Sequence, residues 1–199
     1  VKFKNQMAGV TNNGAWTMHY DADGKGTSMQ MPEAAKAYKE AGVATIIFGG
    51  EQYGSGSSRE QATMAPKLNG VEAVIVESYE TIHRDNLASQ GILPLKLDGI
   101  MLKQMALKGD EQFSIIGISE NMHPGDRLEL IVYRAGGEES RYNLLVDLPT
   151  EAAVAEYNAG GKPGMLLEEL LARSSGGGSG PKLPIPTGGG TDGAAPKPA

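Results

Sequence analysis

The chain has 199 residues, no cysteine, three histidines, 28 glycines, 11 prolines and a formal charge of −6. A length of this order predicts one compact domain with an appendage, and the lack of cysteine excludes disulfides, a thiolate nucleophile and any cysteine-ligated zinc or iron-sulfur site built from this chain alone. His19, His83 and His123 are too scattered for a histidine metal cage, and an acidic chain with no block of Lys or Arg argues against nucleic acid or an anionic membrane as partner.

No run reaches about 18 apolar residues, and the opening VKFKNQMAGV lacks the apolar core of a secretory signal. A soluble, cytoplasmic protein is the expectation. A chain that begins at Val1 leaves open a targeting sequence ahead of it.

Taken in order, WTMHY (16–20) alternates as a half-buried strand or an interdomain contact. Pro32 opens a helix, EAAKAYKEAG, with Ala35, Tyr38 and Ala41 on one face and Gly42 as its stop. VATIIFGG follows as a buried strand. A polar Gly/Ser loop leads into the helix SREQATMAPKLNG, disturbed by Pro66 and ended by Gly70. VEAVIVES is the next strand, YETIHRDNLASQG the next helix and ILPLKL a short extended run. Strands alternating with helices of this length predict β-α-β units and a parallel sheet.

From about Asp110 the pattern changes. FSIIGI, DRLELIVYR and RYNLLVDL are punctuated by His123-Pro124-Gly125 and Ala135-Gly136-Gly137, which predicts antiparallel pairing through hairpins. TEAAVAEYNAGG, capped by Thr150, and PGMLLEELLAR, opening after Pro163, close the domain as helices. After Arg173 half of the residues are Gly or Pro. Such a segment cannot bury enough apolar surface to offset its ordering entropy. Residues 174–199 are therefore read as a disordered tail or linker, a reading favoured over a polyproline II ligand at PKLPIP. Residues 1–173, with 16 basic and 23 acidic side chains, form one α/β domain with a parallel layer, an antiparallel layer and helices.

One loop is placed for chemistry: GGEQYGSGSSRE, residues 49–60. It follows a strand and precedes a helix, where open α/β sheets bind ligands. Gly54 and Gly56 permit close backbone approach. Ser58 falls at or beside the N-cap, where free N–H groups and the helix dipole attract an anion, and Arg59 adds a planar fork for carboxylate or phosphate. The absence of G-x-x-x-x-G-K-[ST], with no lysine after the glycines, argues against a phosphate loop of the triphosphatase kind. A carboxylate or small phosphate site with a catalytic serine remains, beside the plainer reading of a strand-to-helix turn with an ordinary cap.

YGSGSSRE, then GVEAVIVESYETIHRDNLASQGILPL, closely resembles the swivel domain of aconitases, their C-terminal domain. The likeness extends upstream through Lys4-Asn5-Gln6-Met7 and AAKAYKEAGV, and downstream through HPGDRLEL to TEAAVAEYNAGG. It is closer to the bacterial aconitase A and iron-regulatory-protein branch than to isopropylmalate isomerase small subunits, which share GSSRE. The resemblance implies a three-layer swivelling β/β/α domain. It also implies that Ser57 is the catalytic base, an alkoxide taking a proton from the carbon beside a substrate carboxylate, and that Ser58 and Arg59 hold carboxylate. Gly54, Ser55, Gly56 and Tyr53 would support the pocket. A serine hydroxyl is a poor base in water, so only a dry, electropositive pocket makes this role accessible.

The same resemblance implies a four-iron four-sulfur cluster on other domains, bound by cysteines this chain lacks, and a cluster-bearing partner in the same polypeptide or a separate subunit. The chain would then supply one wall of a hydro-lyase active site, interconvert citrate and isocitrate through cis-aconitate only with that partner, and be inactive alone. Isopropylmalate, homoaconitate and methylcitrate are the alternative substrates of such enzymes. A noncatalytic RNA- or anion-binding module is the reading from another class, weakened by the acidity and the lack of interleaved basic and aromatic residues.

Other residues have plainer readings. His83 and Arg84 could form a second anion contact. The favoured reading has Ile82 and Leu87 packing while His83, Arg84 and Asn86 anchor their helix to neighbouring backbone. Glu60 serves the first helical turn, His123 sits in a turn, and Tyr53 either lines the pocket mouth or packs under the loop.

Overall fold

The computed structural model describes residues 16–56 and 60–175. A two-stranded antiparallel hairpin, β1 (Trp16–Tyr20) and β2 (Gly26–Gln30), opens it. Helix α1 (Met31–Glu40) follows, with Pro32 in its first turn and the Gln30 N–H donating to Glu33 Oε2 at 3.3 Å. Ala34 is its buried residue, and the Tyr38 hydroxyl accepts the Tyr20 N–H at 2.8 Å. Of the expected face, Ala35 and Tyr38 are half-buried, while Ala41, just past the last helical residue, is exposed.

Two β-α steps and a third strand come next: β3 (Thr45–Gly49), α2 (Glu60–Leu68), β4 (Val71–Val76), α3 (Thr81–Ser89) and β5 (Leu93–Leu97). Both strand pairings, β3 with β4 and β4 with β5, are parallel. A 3-10 turn (Leu102–Met105) leads to β6 (Gln112–Ile116), β7 (Arg127–Tyr133) and β8 (Glu139–Val146), paired antiparallel in sequence order. Helices α4 (Glu151–Asn158) and α5 (Lys162–Ser175) end the described chain. The Thr150 hydroxyl accepts the Ala153 N–H at 3.2 Å, the N-cap bond its side chain is suited to make.

The parallel and antiparallel sets are joined by β5 pairing antiparallel with β8, in the order β3-β4-β5-β8-β7-β6. The sheet curls on itself. Phe48 of β3 and Phe113 of β6 lie on strands at opposite edges, yet their ring centroids are 4.9 Å apart. Two layers therefore face each other across one apolar interior of Ala73, Ile75, Leu93, Leu95, Leu130 and Leu144. The alternate residues of β4, Val74 and Val76, point outward to Leu87 of α3 and Ile92, forming a second cluster. This is the expected α/β architecture of parallel layer, antiparallel layer and helices.

Strand β3 departs from expectation in being half-buried throughout rather than buried. It is an edge strand, whereas β4, with a neighbour on each side and apolar clusters on both faces, is buried at every position but Glu72. Helix α2 runs through Pro66 to Leu68. The connection from α4 to α5 meets the end of α3 backbone to backbone: Gly161 has φ +81°, and a Cβ there would strike the Ser89 carbonyl oxygen. Helix α5 is only lightly seated, with Met165, Leu166, Leu167, Leu170 and Leu171 all exposed. The tail beyond residue 175 lies outside the described residues.

Candidate functional site

The loop after β3 leaves the sheet at its carboxyl edge and returns to it before α2 begins. Gly49 still pairs with Val76. Three residues, 50–52, then bulge out against two, 77–78, on the β4 side, and pairing resumes as a parallel bridge between Tyr53 and Tyr79. An extra residue on one strand bends the chain and re-aims the side chains beyond it. Gln52 takes the strain, with φ +50°.

The bulge is stapled to the β4–α3 connection. The Tyr53 N–H donates to the Ser78 carbonyl at 2.9 Å and the Glu80 N–H to the Tyr53 carbonyl at 2.9 Å. The Gln52 N–H donates to Ser78 Oγ at 2.8 Å. Beneath, the Tyr79 hydroxyl donates to the Val74 carbonyl at 2.6 Å and accepts the Leu95 N–H at 3.2 Å, tying the staple to β4 and β5. Sequence patterning does not single out Ser78, Tyr79 and Glu80 as part of the site. Their one signal is a strand running into Ser-Tyr-Glu-Thr, a strand end followed by a helix start.

Glu80 is also the N-cap of α3, its side chain accepting the His83 N–H at 2.9 Å. That sets the helical phase so that His83 and Leu87, four residues apart, share the buried face. This corrects the expected packing: Ile82 is exposed, and the His83 ring makes no hydrogen bond to backbone. The ring is buried, edge-on to Tyr53 at 5.3 Å between centroids, and presses on Gly54, where a Cβ would lie 2.2 Å from His83 Cγ. Burial holds the imidazole below its ordinary proton affinity, with Glu80 partly opposing that shift. Arg84 is committed to Asp85 at 2.9 Å and Asp147 at 3.7 Å, so its partners are carboxylates rather than backbone or a bound anion.

Tyr53 packs under the loop. Its ring joins the cluster of Val74, Val76 and Leu87, and burial raises its phenol pKa. Gly54 and Gly56 have φ of +91° and +78°, backbone that favours glycine; Gly54 rests on His83, while nothing lies within 4 Å of the Cβ position at Gly56. Ser55 is exposed, its N–H donating to the Gln52 carbonyl at 3.1 Å. Ser57, Ser58 and Arg59 lie outside the described residues. The described chain resumes at Glu60, the first residue of α2.

Beside the loop an open groove of about 410 Å³ runs across the carboxyl ends of β3, β4 and β5. Glu51, Glu77, Ser78, Ile100, Met101 and Gln104 line it. Glu77 is occupied by the Leu102 N–H at 2.7 Å. Among the described residues the groove wall carries carboxylates and no basic side chain. No group of three or more His, Asp or Glu among the described residues could hold a metal ion, and the sequence has no cysteine.

Fold and loop together define a class: an α/β domain that presents a glycine- and serine-rich strand-to-helix loop at the carboxyl edge of its parallel strands. Residues 2–99 match the family described as the aconitase C-terminal domain, and the chain belongs to that family. It is 36% identical over 172 residues to aconitate hydratase A of Rickettsia bellii, covering 85% of this chain and 19% of that protein. It is 34% identical over 172 residues to aconitate hydratase A of Pseudomonas aeruginosa, covering 86% and 18%. A solved structure, 3-isopropylmalate dehydratase of Methanocaldococcus jannaschii, is similar at 21% identity and a TM-score of 0.44 over 74% of this chain and 83% of that one. The chain spans about a fifth of the length of these aconitate hydratase relatives. No described helix is long and apolar enough to cross a membrane.

Proposed function

We propose that residues 1–173 act as the swivel domain of a cytoplasmic aconitate hydratase-type hydro-lyase, with residues 174–199 as an appended tail or linker. The domain supplies one wall of an active site whose remainder, including a four-iron four-sulfur cluster, belongs to partner domains. The observation that carries this reading is the loop at 49–56, held at the carboxyl edge of the parallel strands and running into the N-terminus of α2. The cluster finds no ligands here, since the chain has no cysteine and no described group of metal-binding side chains.

This chain's own contributions are those that the likeness of YGSGSSRE to the aconitase family implies. Ser57 accepts the proton from the carbon beside a substrate carboxylate, its alkoxide becoming a hydroxyl. Ser58, Arg59 and the amides opening α2 hold that carboxylate and supply the positive field that makes the alkoxide accessible. The net negative charge of the protein does not oppose this, because the attraction is local to one helix end.

Reconstitution tests the reading. The chain alone is expected to show no turnover of citrate, and turnover should appear when it is mixed with the cluster-bearing domains of an aconitate hydratase A. Ser57→Ala should then lower kcat about 10²- to 10⁴-fold, the range for loss of a general base. Turnover by the chain alone would sink the shared site, and full activity of Ser57→Ala would sink the serine. Running isopropylmalate, homoaconitate and methylcitrate beside citrate assigns the substrate.

A further inference from the structure

His83 is 4% exposed, and neither Nδ1 nor Nε2 of its ring has a hydrogen-bond partner among the described residues. A neutral ring can be held this way. A protonated imidazole carries two N–H donors and a full charge, and burying these without partners is among the costliest arrangements a protein can adopt. A proton therefore enters only if the ring reaches water, and what covers the ring decides how that happens. On one side stands α3, whose Leu87 and Ala88 are buried and whose Arg84 pairs with Asp147 at 3.7 Å. On the other lies the turn that begins at Tyr53. The Tyr53 ring is edge-on at 5.3 Å between centroids, and the Gly54 backbone is so close that no side chain could stand between them. Ser55 and Gly56 are exposed, and Gly54 and Gly56 have φ of +91° and +78°, so this cover is thin and hinged on two glycines. The helix is the anchored side and the turn the movable one.

We propose that His83 is a proton-sensitive latch on the turn at 53–56: the uncharged ring is sealed under Gly54 with the turn closed, and a protonated ring reaches water by lifting the turn. The inference needs no assumption about what the loop binds and stands apart from the proposed function. Burial lowers the pKa of the ring from the ordinary 6.5, with Glu80 at the head of α3 partly opposing, which is the direction a sealed ring requires. Tyr53 faces the ring with a phenol that burial keeps protonated. On the elements packed against α3, Lys67 of α2 is held by Glu72 and the Gly91 carbonyl, Lys96 of β5 by Asp147, and Glu151 of α4 by His123. Glu80 is the one charge among the described residues that acts on the ring. The closed turn holds the proton less tightly than the open one. Closure is therefore at full strength above pH 6.5 and weakens as pH falls through 6.5 toward the lower value of the sealed ring.

The test is amide hydrogen exchange on the full chain between about pH 5 and pH 8, each rate divided by that of the unfolded chain at the same pH to give an opening constant. The Tyr53 N–H, which donates to the Ser78 carbonyl, and the Glu80 N–H, which donates to the Tyr53 carbonyl, report on the turn. Their opening constants should be level above pH 6.5 and rise below it by up to about tenfold per pH unit, the limit for one proton. They should also exceed those of the β7 amides by at least about tenfold throughout, as local opening requires. His83→Leu should abolish the rise; if that variant does not fold, His83→Gln, uncharged at every pH, should do the same. Gly54→Ala, which drives a methyl group into the ring, should hold the turn open, raising both opening constants even at the alkaline end and flattening their dependence on pH. Ile82→Ala, an exposed neighbour on the same helix, should keep the wild-type rise.

Opening constants that stay level below pH 6.5 in the wild-type chain, or a rise that survives in His83→Leu or His83→Gln, would overturn the latch. So would loop opening constants equal to those of β7, because the proton would then enter only when the whole domain unfolds. Each of these outcomes leaves the proposed function standing.

Discussion

The two halves of the curled sheet share an interior and differ in what covers their outer faces. The parallel half is backed by helices, so β4 spells VEAVIV and buries Val74 and Val76 against Leu87 and Ile92. The antiparallel half is open on its back, where Arg141 pairs with Glu129 at 2.8 Å and with Glu139 on the surface. A strand buried on both faces is continuous in apolar residues, and one with a wet face alternates. The functional consequence lies in the parallel half, where the neighbouring strands β3 and β4 end side by side and each leads to a helix start. Those starts are what staple, prop and aim the loop at 49–56, while the antiparallel half serves as the second wall of the core.

If both halves enclose one core, deleting volume on either side should unfold both. Ile75→Ala on β4 and Leu130→Ala on β7, both fully buried, should each cost about 2–5 kcal/mol. Hydrogen exchange should show β4 and β7 losing protection together in each variant. Loss confined to the mutated half would mean two separate cores and break the comparison.

The outer faces should respond unequally. Val74→Ala, on the covered face, is expected to cost about 1.5–3 kcal/mol from lost burial. Arg141→Ala, on the open face, should leave the urea midpoint where it is, because exposed ion pairs are screened and entropically costly. A large effect of Arg141→Ala would show that the open face is not open in solution. Thr150→Ala removes the cap of α4 and should cost about 1 kcal/mol.

The same contrast explains what could be read from the sequence. The β-α-β order, the hairpins of the second half and the Thr150 cap are local, set by residues a few positions apart. The join of β5 to β8 is not, because ILPLKL carries no mark of the neighbour it will choose some fifty residues later. Strand β2, GTSMQ, is short and mostly exposed, and so offers no apolar alternation to read. At the site, the GSSRE string points to the loop, and the glycines at 54 and 56 do adopt positive φ. The staple at Ser78–Glu80 and the prop at His83 escape sequence reasoning because both depend on two segments meeting across the sheet edge. The phase of α3 turns on one residue, the Glu80 cap, and a shift of one position exchanges Ile82 for His83 as the buried side chain.

The smallest expected effect compares two histidines, one from each half, whose linkages to pH run in opposite directions. His83, in the parallel half, has its pKa lowered from the ordinary 6.5 chiefly by burial, with Glu80 opposing. The unfolded chain then binds this proton more readily than the folded one, so His83 destabilises the fold as pH falls below 6.5 and has no such effect above it. His123, on the β6–β7 connection, has its pKa raised from 6.5, first by its hydrogen bond to Glu151 at 3.0 Å and then by that carboxylate's charge. Here the folded chain holds the proton more tightly. The contribution is complete below pH 6.5 and is lost as pH rises through the higher folded value. Both side chains of the His123–Glu151 pair are about two-thirds exposed, so about 1 M salt should erase its effect and leave that of His83 in place. Urea midpoints measured from pH 5 to 8 should therefore show a shallower acid-side loss in His83→Gln at either salt concentration. His123→Ala should change the profile at low salt only. An acid slope unchanged by His83→Gln would mean that the ring is solvated in solution and packs more loosely than its 5.3 Å edge-on contact with Tyr53 shows.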